Sequence, residues 1–211
     1  MAKKDKIKPK CIFVIGTESS GSTFMAKTIS KAVNGPPEWN GRGFNYQKSG
    51  DYSDHLESGQ TSQSTGVLVC HRSLPYGLKD PQWPPIEIWN ATYDAWYVIC
   101  TRDNNIAQIS AMARFGRTLK ETASNHAKAK IIIEQLLSNN PNCFIWSYET
   151  FIFLKGSYLE RLYRFLDIET NYFPEDVIDG NERYTKVASY RSTFSMLRKR
   201  LRHFFFSKKK D

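Results

Sequence analysis

Four short stretches, residues 11–15, 67–70, 97–100 and 143–146, are apolar without interruption and are bounded by polar or turn residues. Strands with one wet face alternate. Continuous apolar runs of this length predict strands buried on both faces of a parallel sheet. Between and after them, apolar positions recur at helical spacing over residues 22–33, 105–114, 118–137 and 158–166. On the last of these, Leu159, Leu162, Tyr163 and Leu166 form one face, the side that packs. Strands alternating with helices predict an α/β domain with a central, mainly parallel β-sheet flanked by helices.

Two segments break this rhythm. Residues 34–65 are rich in Gly, Ser, Asn and Gln, and residues 75–85 carry four prolines. Structureless stretches of such length inside a domain are usually functional loops. With 211 residues, 40% apolar and 24% charged, the chain has the makings of one globular domain. No apolar run approaches the roughly 20 residues that span a bilayer, and the charged start argues against a secretory signal. The net charge of +9 misleads, because residues 1–10 contribute +4 and residues 191–211 contribute +7, leaving −2 on the body. A basic groove for nucleic acid is therefore not expected. The expected organisation is a basic extension over 1–10, the α/β domain over 11–190 and a basic segment over 191–211. The cysteines, Cys11, Cys70, Cys100 and Cys143, form no C-x-x-C pair and fall in the apolar stretches. They are read as core thiols of a cytoplasmic protein, not as metal ligands or disulfides.

The most informative stretch is Gly16-Thr17-Glu18-Ser19-Ser20-Gly21-Ser22-Thr23-Phe24, which joins the first strand to the first helix. Unpaired N–H groups and the helix dipole make such a junction a seat for phosphate or sulfate. Gly16 and Gly21 let the backbone wrap an anion, and Ser20, Ser22 and Thr23 add hydroxyls. The spacing is that of the phosphate loop G-x-x-x-x-G-K-[ST], with Ser22 where the lysine stands. Without that cation a nucleotide or small-molecule kinase is disfavoured, although it remains the competing enzyme of the same fold.

Ser19-Ser20-Gly21-Ser22-Thr23-Phe24 resembles the first motif of sulfotransferases that use 3'-phosphoadenosine-5'-phosphosulfate (PAPS). Ser19 departs from the Lys or Arg usual there. The family's 3'-phosphate element, an Arg at a strand end with a Ser eight residues on, is matched by Arg102 and Ser110. An arginine fork and a helix hydroxyl can converge on one phosphate. A Tyr-Glu pair ending a later strand is matched by Tyr148-Glu149. The resemblance covers about residues 11–168. It implies a P-loop-type fold with Ser19 to Thr23 around the 5'-phosphosulfate, Phe24 and Tyr148 near the nucleotide, and Arg102 and Ser110 on the 3'-phosphate. It also implies in-line transfer to a hydroxyl, release of adenosine 3',5'-bisphosphate (PAP), and no metal.

Such transfer needs a base for the hydroxyl proton and a cation for the bridging oxygen. Glu38 and His71 are the two candidate bases, His71 being placed at the end of the second apolar run. Arg72 is the candidate for the cation missing at Ser19. His55 and His126 are expected to be structural. Trp39, Phe44, Tyr46, Tyr52, Tyr76, Trp83 and Trp89 surround the expected acceptor space, and aromatic faces suit a carbohydrate, lipid headgroup, phenol or peptide tyrosine alike. Residues 190–210 read as a basic amphipathic helix able to make a peripheral membrane contact. A non-enzymatic nucleotide-binding adaptor with that tail is the remaining alternative.

Overall fold

The computed structural model describes residues 8–45, 66–75, 86–175 and 177–184. The expected acceptor aromatics Tyr46, Tyr52, Tyr76 and Trp83, His55 and the basic tail lie outside these residues. The chain divides into two units, 1–176 and 177–211. In the second, a short turn has the Asp179 carboxylate accepting from the Asn181 N–H at 2.8 Å.

The first unit is an α/β domain. Its sheet has the order β2-β3-β1-β4-β5, with β1 (Lys10–Thr17), β2 (Gly43–Phe44), β3 (Leu68–Leu74), β4 (Asp94–Thr101) and β5 (Cys143–Ser147). All pairings are parallel except β2 with β3. Each predicted run is a strand, and β1 at the centre is buried from Cys11 to Ile15 as its continuous apolar sequence requires.

Successive side chains leave a strand on opposite faces. One face of β1, carrying Cys11, Phe13 and Ile15, belongs to a core with Trp89 and Tyr93, and with Ala129 and Leu136 of α4 (Leu119–Asn139). Phe13 is stacked on Trp89 at 4.2 Å between ring centroids. Helix α1 (Ser22–Ala32) packs on β1 and β3 and buries Met25, Ala26 and Ile29. Tyr97 brings a hydroxyl into the core and donates it to Asn90 Oδ1 at 2.8 Å, which keeps that polar tip paired. At the β5 edge, the Tyr158 hydroxyl accepts from the Ser147 N–H and donates to the Ile145 carbonyl, so one side chain occupies both edge groups.

Several expectations need correction. β2, α2 (Ile86–Thr92) and α5 (Tyr148–Leu154) were not anticipated. The strands and α3 (Asn104–Phe115) run beyond their predicted limits, whereas α6 (Gly156–Phe165) starts two residues earlier and ends one earlier. Phe44 and Trp89 are buried within the core itself, so these two do not line an acceptor space; Trp39 is buried outside that core. The four cysteines are free thiols, three buried and Cys143 partly so. Burial pushes the Cys11 and Cys100 thiols well above their ordinary pKa. Among the described residues no helix is long and apolar enough to cross a membrane.

Candidate functional site

The β1–α1 loop leaves the carboxyl end of the central strand, where open α/β sheets place ligands. Its shape depends on two left-handed residues, Ser19 at φ 65° and Gly21 at φ 87°. Gly21 is required twice over, since a Cβ there would also stand 3.0 Å from the Tyr148 ring. At Gly16 a Cβ would fall 2.4 Å from the Ser20 hydroxyl and 2.6 Å from the Cys100 carbonyl oxygen. The Glu18 N–H bonds the Leu74 carbonyl at 3.2 Å, and the Ser20 N–H bonds the Thr17 carbonyl at 3.1 Å. These ties fold the loop tightly over the ends of β1 and β3.

What remains unpaired is informative. Helix α1 starts from Gly21 with no side-chain cap and no acidic residue in its first turn. The two longer helices are closed: Asp103 caps α3, and Thr118 with Glu121 forms a capping box on α4, whereas α6 starts from Lys155 without a side-chain cap. The hydroxyls of Ser19 and Ser20 are buried without a hydrogen-bond partner, and Ser20 is 0% exposed. Buried polar atoms without partners cost stability unless something else meets them. An oxyanion at the start of α1 suits both the free N–H groups and their dipole.

Distant parts of the chain converge on this loop. Arg102, following β4, donates from Nη1 to the Ser19 carbonyl at 3.0 Å, and its guanidinium lies 4.8 Å over the Tyr148 ring. Tyr148, the first residue of α5, is buried against Trp146 and Gly21. Asp103 is used as the α3 cap, accepting from the Ile106 N–H at 2.9 Å, and so is not Arg102's partner of necessity. Ser110 sits on the buried side of α3 with Ala107 and Ala111. Phe24 is half-buried, 5.5 Å from Phe151, and borders a cavity of about 220 Å³ with Lys27, Lys31, Trp39 and Tyr172.

The three candidate catalytic residues are placed very differently. Glu38 is exposed on the turn after α1. His71 is not at a strand end; it lies inside β3, 3% exposed, opposite Val14. Its Nδ1 bonds the Gly41 carbonyl and its Nε2 lies 2.9 Å from Ser22 Oγ. Burial lowers its pKa to about 4, with Arg72, Arg42 and Arg114 pushing the same way and the Gly41 carbonyl opposing them. Arg72, 4% exposed, is paired with Ile15 and leaves β3 on the opposite face from its neighbour His71. Strand alternation therefore separates two residues that adjacency in sequence had grouped.

Sequence reasoning missed several neighbours of the loop. Arg117, between α3 and α4, pairs with Glu18. His126 of α4 hydrogen-bonds Asn104 Oδ1 at 2.9 Å; burial lowers its pKa while Glu18 opposes the shift. Thr122, His126, Ala129 and Leu136 are the buried residues of α4, a helical spacing that marks His126 as facing inward. Nothing local signals Arg117 or Gly41, because both act across long stretches of chain. Among the described residues no group of three His, Cys, Asp or Glu is placed to hold a metal ion. Compared with known proteins, the chain matches no family model and no curated sequence.

Proposed function

We propose that the chain is a PAPS-dependent sulfotransferase, binding its nucleotide at the β1–α1 loop and moving the sulfuryl group to a hydroxyl acceptor. The observation that carries this reading is the meeting of Arg102 and Tyr148 with Ser19–Gly21 at an uncapped helix start. The N–H groups of α1 and the hydroxyls of Ser19, Ser20 and Thr23 would hold the 5'-phosphosulfate. Arg102 and Ser110 would hold the 3'-phosphate, and Phe24 would meet the adenine at the lip of its cavity. Glu38 is the better base, since its carboxylate is open to an acceptor while both ring nitrogens of His71 are engaged. In the transfer the acceptor oxygen bonds to sulfur as the bond to the bridging oxygen breaks. The acceptor proton passes to Glu38 and PAP leaves. A carbohydrate, lipid headgroup, phenol or peptide tyrosine would serve as acceptor, in the cytoplasm or at a membrane surface.

A second reading, a nucleotide-binding module without turnover, is favoured by one observation. Ser19 stands where the family has a cation, and the guanidinium that bonds there is directed at a carbonyl.

Calorimetric titration with PAP, with AMP and ATP–magnesium as controls, tests the cofactor, and an acceptor screen with PAPS then separates the two readings. Binding should require the 3'-phosphate and weaken by about 1.5–3 kcal/mol in Arg102→Ala, the range for a charge-assisted bond. Preference for ATP–magnesium would point instead to the kinase.

A further inference from the structure

His71 and Ser22 form a buried pair that the proposed transfer does not use. A carbonyl oxygen can only accept, so the Gly41 contact places the ring proton on Nδ1. Nε2 is then a lone pair, and the 2.9 Å contact requires the Ser22 hydroxyl to donate to it. Ser22 is thereby left with lone pairs only, at the first position of the uncapped helix. A lone pair facing an anion repels it. The loop as folded therefore withholds a hydroxyl donor where its sequence supplies one.

Resting on the anion-site reading above, we infer that His71 is a positioning residue that sets the polarity of Ser22, so that an oxyanion seated on the β1–α1 loop is taken up together with one proton. The proton enters at Nε2, the ring donates Nε2–H to Ser22 Oγ, and the Ser22 hydroxyl hydrogen turns to the anion. Nδ1–H stays on the Gly41 carbonyl, so both donors of the imidazolium are satisfied. Only an N–H bond forms, and the proton taken up offsets one unit of the charge that the anion brings in.

The surroundings explain why the ring is neutral without a ligand. Arg72 on its own strand, Arg42 in the segment before β2 and Arg114 on α3 all oppose a further positive charge. From α1 it meets the Ser22 hydroxyl and from β1 the apolar Val14. Among the described residues, the side-chain charges acting on His71 are those of arginines; a bound anion would act in the opposite sense.

The probe is inorganic sulfate, which remains a dianion throughout the range used. Titrating the full chain by calorimetry near pH 5.5, in buffers of different ionisation enthalpy, reads the protons taken up. The wild type should take up close to one proton per sulfate. Its affinity should rise by up to about tenfold per pH unit on acidification between about pH 6 and 5. Uptake should fall nearly to zero in Ser22→Ala and His71→Gln and persist in Ser22→Thr. If His71→Gln does not fold, the two Ser22 variants decide.

Sulfate binding without proton uptake overturns the inference and leaves the anion site standing. Uptake that persists in Ser22→Ala overturns it as well, by locating the proton elsewhere. Binding of PAP but not of sulfate also removes it, because the loop then lacks the oxyanion affinity that it needs. If neither ligand binds, the anion-site reading fails and the inference fails with it.

Discussion

Two strand-to-helix junctions open at the same end of the sheet and are finished in opposite ways. After β4, Asp103 closes α3 by accepting from the Ile106 N–H, and its own N–H is taken by Glu149 Oε1. After β1, α1 begins from a left-handed glycine with no cap, beside a left-handed serine and two buried hydroxyls without partners. An Asp at the start of α1 would have satisfied that helix and occupied the place of an anion. The first junction is closed in favour of stability, and the second is left with unpaired donors and a left-handed backbone, as the proposed anion site requires.

The comparison breaks most severely at Gly16. Its missing side chain is what lets the Ser20 hydroxyl sit against the end of β1. A methyl there meets a backbone carbonyl of β4 as well as that hydroxyl. The carbonyl cannot retreat without shifting β4, which is paired with β1 from Asp94 to Cys100. Gly16→Ala should therefore lower stability by about 3 kcal/mol in chemical denaturation and remove any stabilisation by sulfate. A variant as stable as the wild type would show that the loop is looser than its contacts require.

The next effect is acid sensitivity. His71 has a folded pKa of about 4, below its usual 6.5. Between those values the unfolded chain binds more protons than the folded one, so stability rises with pH and is lost on acidification. The loss from pH 7 to about pH 4 attributable to His71 should be about 3 kcal/mol, read as the part of the denaturation pH profile that vanishes in His71→Gln. The α3 junction also has a buried imidazole on its first residue, His126 on Asn104 Oδ1, and burial lowers its pKa too, so part of the acid slope should persist in His71→Gln. Sulfate should offset the loss, because the proton then enters a site that welcomes it.

The two junctions also differ in how much of them the sequence disclosed. Strands buried on both faces left continuous apolar runs, so four of the five strands, the α/β class and the position of the β1–α1 loop could be read directly. The second run stops at Cys70, yet β3 continues through His71, Arg72, Ser73 and Leu74. Polar residues buried at the carboxyl end of a strand look like a boundary, which is why His71 was read as a strand end. Trp89 was read as a loop aromatic because the seven residues of α2 bury only one side chain, too few to show a period. Gly41 and Arg117 reach the loop from 30 residues before His71 and 99 residues after Glu18. Local pattern carries no trace of contacts at such separations.

The smallest effect sharpens the comparison from the closed side. Removing the α3 cap by Asp103→Ala leaves the Ile106 N–H without its carboxylate and should cost about 1 kcal/mol, measured as a lower Tm. The cost should appear in the free chain and in the sulfate-bound chain alike, because this carboxylate satisfies its own helix and does not hold the anion. Sulfate should therefore raise the Tm of Asp103→Ala by as much as it raises that of the wild type. A larger rise in the variant would mean that the Asp103 charge acts on the anion through the adjacent Arg102. A smaller rise would mean that the α3 start helps to hold the loop. In either case the two junctions would be coupled rather than independent, and the division between a capped helix for stability and an uncapped one for binding would have to be withdrawn.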